Sequence, residues 1–138
     1  MKRLVLKLLV GGLIVLLAAC AGKKGDTRKL DERLLSYQST IRWGQLAAAV
    51  EVLDPEQREK LAPTPLQLRR MEQLQVTAYR VRGKQWTDAT EVRQVVEIQV
   101  VNRHTQVERT VIDRQVWRWD GEEKTWWLTT PLPDFEPK

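Results

Sequence analysis

The chain has 138 residues, 23 of them basic and 18 acidic for a formal charge of +5, and contains one cysteine, one histidine and six tryptophans. One cysteine excludes an intramolecular disulfide, and a lone histidine leaves no second imidazole for a zinc site. A chain of this length fits a single domain that buries one core without staples.

Met1, Lys2, Arg3 and Lys7 put positive charge ahead of an apolar run from Leu8 to Ala19, the layout of a signal peptide. A bilayer-spanning helix takes about 20 apolar residues. This run is shorter and holds the pair Gly11-Gly12, so a permanent transmembrane anchor is not expected. The run ends Leu17-Ala18-Ala19-Cys20, a branched apolar residue and two small ones before the only cysteine. That motif resembles the lipobox of bacterial lipoproteins. The resemblance implies that the Cys20 thiol is alkylated with diacylglycerol, that cleavage falls between Ala19 and Cys20, and that the freed amine is acylated. A thiolate is the strong nucleophile such chemistry needs. Acyl chains contribute about 0.8 kcal/mol per buried methylene, so two or three of them hold a protein on a membrane. Two alternatives stand beside it: Ala19-Cys20-Ala21 also satisfies the small-x-small pattern of ordinary signal cleavage, which would release a soluble chain, and the segment left uncut would be a short anchor.

Removal of residues 1–19 takes away Lys2, Arg3 and Lys7 and no acid, leaving 20 basic residues against 18 acidic ones. The remaining charges are interspersed, which argues against nucleic acid as a partner. By resemblance to enterobacterial lipoproteins, where Asp after the cysteine retains the protein at the inner membrane, Ala21 implies sorting to the outer membrane, facing the periplasm.

Residues 20–27 read as the lipidated cysteine and a polar, glycine-containing tether. From Arg28 to Leu53 the spacing of Leu30, Leu34, Tyr37, Ile41, Gly44 and Ala48 predicts helix, capped by Asp26 or Thr27, broken near Gly44 and stopped before Pro55. Glu56 to Ala62 predicts a further turn, and Pro63-Thr64-Pro65 separates it from a segment running Leu66 to Leu74. The period then changes. Gln75 to Gly83 reads as a strand. Glu91 to Asn102 alternates, with Val92, Val96, Ile98 and Val100 on one face and Arg93, Glu97 and Gln99 on the other. Val107 to Trp119 forms a third strand, Asp120-Gly121 favours a tight hairpin, and TWWLTT closes the sheet before a tail from 131 to 138.

Helices first and a meander of about four strands after them predict an α+β domain over 28–130, with the helices on one face of a curved antiparallel sheet. The leading helical stretch with IRWGQLAAAVEVLDPE, followed by strands ending VWRWDGEEKTWWL, resembles the cystatin-like cone fold of the nuclear transport factor 2-like superfamily. That resemblance implies a site in the space between helices and sheet, where Tyr37, Trp43, Tyr79, Asp113 and Trp117 are the candidate lining residues.

Asp113 shares strand parity with Val107, Val111, Trp117 and Trp119 and is the carboxylate to test, although Arg109 has the same parity and could pair with it. Trp126 and Trp127 must point to opposite faces, so one of them belongs to the core. His104 falls in a turn and is read as a solvated residue rather than a base. No phosphate loop, catalytic triad, nucleophile elbow, metal set or cofactor motif is present, so no catalytic residue is assigned. The expected role is a non-catalytic binding or accessory module of the envelope, held to the membrane through Cys20 and working with an envelope protein. The alternative is a small-molecule or enzymatic cone-fold domain.

Overall fold

A computed structural model describes residues 24–136. Signal segment, cleavage point and Cys20 lie outside those residues. The architecture is α+β: α1 (Thr27–Arg42), α2 (Leu46–Val50), α3 (Arg58–Leu61) and α4 (Pro65–Met71) precede β1 (Leu74–Asp88), β2 (Glu91–Asn102), β3 (Glu108–Asp120) and β4 (Thr125–Leu128). The strands form one antiparallel meander in the order β1-β2-β3-β4. No helix among the described residues is long and apolar enough to cross a membrane.

The start of α1 is fixed by Asp26, whose carboxylate accepts from the Lys29 amide at 3.1 Å. Its stripe of Leu30, Leu34, Tyr37 and Ile41 is buried, as the three-and-four spacing predicts. The helix ends at Trp43, and Gly44 takes φ +70°, a left-handed conformation that suits glycine. After α2 the chain runs extended long enough for a single parallel bridge between Leu53 and Leu128, in which the Asp54 amide donates to Leu128 and the Leu128 amide to Val52. This bridge extends the sheet beyond its short fourth strand, and the apolar pattern before Pro55 gave no sign of it. Thr64 and Gln67 cap α4 reciprocally, and Pro65 occupies its first position.

Strand β2 occupies the expected residues, with Val92, Gln94, Val96, Ile98 and Val100 all buried on the helix side. Strand β1 continues five residues past Gly83, pairing Gln85 with Arg93 and Trp86 with Val92. Its second half lies at the exposed edge and carries almost no apolar alternation, so periodicity alone could not find it. Three register shifts, at Val76/Ala78, Val81/Gly83 and Trp86/Asp88, bend this strand.

The β3–β4 hairpin forms where Asp120-Gly121 was expected to favour one. Residues 121–124 form its turn, because Asp120 uses one carboxylate oxygen to accept from the amides of both Glu122 and Glu123 while Lys124 adopts φ 51°. The segment beyond residue 130 is not a free tail: Leu132 and Phe135 are buried members of the core. The packed body also starts earlier than residue 28. The Gly25 amide donates to the Ala89 carbonyl at 2.8 Å, and Trp126 Nε1 donates to the Asp26 carbonyl at 2.9 Å.

Candidate functional site

The inward parity of β2 and β3 places three polar residues, Gln94, Asp113 and Gln115, among the aliphatic ones, between the sheet and α1. Gln115 is the hub. Its Nε2 donates to Asp113 Oδ2 at 2.7 Å and to the Tyr79 hydroxyl at 2.9 Å, and its Oε1 accepts from Gln94 Nε2 at 3.2 Å and from Trp117 Nε1 at 3.1 Å. Asp113, Gln115 and Trp117 alternate along β3, Gln94 lies directly across from Gln115 on β2, and Tyr79 comes from β1. From α1, the Tyr37 ring stands edge-on to Trp117 with centroids 5.3 Å apart. Its hydroxyl is buried and has no hydrogen-bond partner.

Electrostatics follow from burial. Desolvation raises the Asp113 carboxyl to about 6 against the opposing effect of its Gln115 hydrogen bond. Burial also pushes the Tyr79 phenol up to about 12, and that of Tyr37 well above its ordinary value with Asp113 adding to the shift. A carboxyl near 6 has the basicity of a proton acceptor at neutral pH. Here it is only 6% exposed and its described hydrogen bond goes to Gln115, so its geometry is that of a closed polar network inside a core.

Of the five lining residues expected from the sequence, Tyr37, Tyr79, Asp113 and Trp117 come together in this cluster. Trp43 does not: it is 73% exposed at the end of α1, on the far side of the helix stop. The Arg109–Asp113 ion pair does not form. Four residues along a strand separate two side chains by about 13 Å, and Arg109 donates instead to the Phe135 carbonyl at 2.6 Å. His104 sits exposed in the β2–β3 turn, its amide bound to Asn102 Oδ1. Gln94 and Gln115 were not singled out in the sequence. The signal that finds them is an amide side chain at the inward parity of a strand whose other inward residues are Val, Ile and Trp.

Several clefts open on the described surface, among them three with an apolar lining. One of about 350 Å³ lies between Leu61, Met71, Leu132 and Phe135, and another of about 440 Å³ adjoins it beside Leu74, Asn102 and Arg109. The third, of about 300 Å³, lies under α1 between Leu34, Leu35, Val81 and Lys84, and its floor is Gln94. Through Gln94 this cleft touches the buried network. Among the described residues no group of three or more His, Cys, Asp or Glu side chains is arranged to hold a metal ion.

No protein-family model matches the chain, and no curated protein matches it. Solved structures do share the fold. The chain is similar to a SEC-C motif containing protein from Rhodopseudomonas palustris, solved in solution, with a TM-score of 0.56 and 16% identity over 74% of each chain. It is also similar to a SEC-C motif containing protein from Psychrobacter arcticus, a crystal structure, with a TM-score of 0.54 and 12% identity over 88% of this chain and 68% of the other. At these identities the likeness is one of fold: four antiparallel strands with helices leading into them.

Proposed function

We propose that this chain is a bacterial lipoprotein whose α+β domain is anchored by acyl chains on Cys20 to the outer membrane, faces the periplasm and serves as a non-catalytic binding or accessory module of the envelope. The observation that carries the reading is the placement of Leu17-Ala18-Ala19-Cys20 immediately before the domain. Among the described residues, Lys24 and Gly25 already contact the body, four and five positions after the cysteine. A short polar spacer after an acylated residue is what a membrane-held domain needs. The non-catalytic part of the reading is supported by the enclosure of Asp113, whose carboxyl is occupied by Gln115. The fold is read, more finely, as the cystatin-like cone of the nuclear transport factor 2-like superfamily, supported by the leading helix laid against a bent, four-stranded meander.

The test is metabolic labelling with a fatty acid and intact-mass measurement of the processed chain. Cys20→Ala should abolish labelling and leave uncleaved precursor. An unmodified thiol, or processing and membrane retention unchanged in Cys20→Ala, would refute the anchor.

A second reading, a small-molecule domain with its pocket between α1 and the sheet, is favoured by the unpartnered Tyr37 hydroxyl and by the cleft that reaches Gln94. Native mass spectrometry of the protein from its host distinguishes the two: a co-purified small molecule lost in Gln94→Leu supports the pocket, and a bare mass with a reproducible crosslinked protein supports the module.

A further inference from the structure

Trp43 is 73% exposed, the most exposed of the chain's large apolar side chains among the described residues, with the Arg42 guanidinium 6.0 Å from its ring. Leu35, 67% exposed, stands on the same helix. A singly exposed apolar side chain is ordinary on a protein surface, so what Trp43 meets is decided by its setting.

Three observations identify what it meets. The first is length. Five Cα–Cα steps join Cys20 to Gly25, so the chain between them reaches at most about 17 Å. The second is the side from which the chain leaves. Gly25 packs against Trp126 and Trp119 on the helix side of the sheet, and the Lys24 ammonium lies 5.1 Å from the Trp86 ring, so the exit is beside the first turn of α1. The third is charge. The outer flank of α1 and the exit carry Lys24, Arg28, Lys29 and Arg42 against Asp31 and Glu32. Glu32 is paired with Arg28 at 3.7 Å and Asp31 with Lys84 at 3.1 Å, while the Lys29 ammonium donates to the Lys124 carbonyl at 2.9 Å, which leaves the flank net positive. The end of the sheet next to the exit is different: its two turns present Asp88, Asp120, Glu122 and Glu123 against the single cation Lys124. Standing the domain on that end would press four carboxylates into anionic head groups. Laying α1 along the surface presses basic residues there instead.

We propose that the outer flank of α1 lies on the phospholipid surface, with the indole of Trp43 in the head-group region. This rests on the lipid-anchor reading. The apolar stripe of α1 stays in the domain core and Leu35 lines the cleft toward β1, so the helix is not itself inserted; only Trp43 and the basic side chains meet lipid. With 16 residues, α1 is about 24 Å long. Anchor and tryptophan therefore grip the membrane at opposite ends of one rigid rod. Indole prefers the interface, where its ring is shielded and its N–H stays hydrated. The acyl chains supply the affinity and hold the local concentration high, so this second, weak contact is enough to set orientation. The sheet's outer face and the cleft between Leu61 and Phe135 are thereby left for a partner.

The experiment uses the full processed protein in phosphatidylcholine vesicles with and without phosphatidylglycerol, in which the acyl chains of the lipid are brominated near the head group. Bromine quenches tryptophan emission at short range. Quenching severalfold stronger in the anionic vesicles, lost in Trp43→Phe and kept in Trp127→Phe, is the expected result. Quenching that survives Trp43→Phe but is lost in Trp127→Phe or Trp86→Phe overturns the proposal. So does protection of Trp43 from acrylamide in native membranes together with no quenching by lipid, which would assign the surface to a protein. Intact mass of the same sample separates the two levels: an unacylated chain removes the anchor and this orientation with it, whereas an acylated chain with unquenched Trp43 removes the orientation alone.

Discussion

Gln115 Nε2 lies 2.7 Å from Asp113 Oδ2, two residues along the same face of β3, and this bond is the described hydrogen bond by which the fold holds the buried carboxylate. It does not offset burial, which leaves the Asp113 carboxyl near 6 against the 3.8 usual for an aspartate. The sign follows from linkage. A carboxyl whose value is raised by folding binds its proton more tightly in the native state, so its ionisation weakens the fold. The penalty is absent below about pH 4, grows as pH rises, and is complete above about pH 6 at on the order of 3 kcal/mol. Asp113→Asn keeps an oxygen for Gln115 and removes the charge. The melting temperature of the variant should match the parent near pH 4 and exceed it above pH 6. Parallel melting profiles across that window would show that Asp113 ionises without cost, through solvent or a partner reaching it.

Gly25 is glycine because of Trp126. A Cβ at residue 25 would come within 2.3 Å of Trp126 Cζ2 and 2.7 Å of Cη2, and that indole is fully buried with its Nε1 bound to Asp26. Neither partner can move freely, so Gly25→Ala should cost about 1–3 kcal/mol, the range for overpacking in a filled core. Chemical denaturation measures it. In a Trp126→Phe background the missing benzo ring makes room, and the cost of the same substitution should shrink. An equal cost in both backgrounds would place the strain elsewhere.

Asp54 is buried to 1% exposure beneath the sheet edge, and Arg118 reaches it from β3 through Nη2 at 2.8 Å and Nε at 3.2 Å. The same carboxylate accepts from the Glu56 amide at 3.0 Å, which fixes the turn after Pro55. Removing Arg118 leaves a buried carboxylate with an amide for company. Breaking a fully buried pair costs about 3–5 kcal/mol. The Arg118 side chain is 40% exposed, so solvent screens part of this, and Arg118→Ala should cost about 2 kcal/mol by urea denaturation at neutral pH. Arg118→Ala together with Asp54→Asn should recover part of that loss, since the orphaned charge is gone. A double variant no more stable than Arg118→Ala would contradict the assignment.

What was legible in the sequence was whatever repeated. The stripe of Leu30, Leu34, Tyr37 and Ile41 located α1 and its buried face, and the alternation of Val92, Val96, Ile98 and Val100 located β2 with its inward side. Strand parity sufficed to turn Asp113 and Trp117 inward and to require that one of Trp126 and Trp127 be buried, but not to say which; it is Trp126. What was not legible depended on distant parts of the chain. Parity put Arg109 and Asp113 on one face but carries no information about reach, and Arg109 found the Phe135 carbonyl instead. The Leu53–Leu128 bridge joins a loop to a strand 75 residues later and has no local signature. The outer half of β1 is exposed, so no hydrophobic period marks it.

The proline-bearing segment after β4 is part of the core, and its removal should be felt there. Phe135 is 4% exposed and Leu132 6%, both in the cluster that includes Met71 of α4. Arg109 holds the Phe135 carbonyl and Arg70 holds the Glu136 carboxylate at 2.8 Å, so β3 and α4 each grip the segment from one side. Pro131 and Pro133 reduce the entropy lost when this stretch is laid down. Truncating a buried phenylalanine costs about 3–5 kcal/mol. Phe135 lines the open cleft beside Leu61, which lets water replace the ring, so Phe135→Ala should fall near 3 kcal/mol. The loss should appear first as faster amide exchange in α4, whose Met71 loses its cover, with β2 and β3 protected until global unfolding. Exchange in α4 unchanged by Phe135→Ala would show that the segment decorates the core rather than closing it.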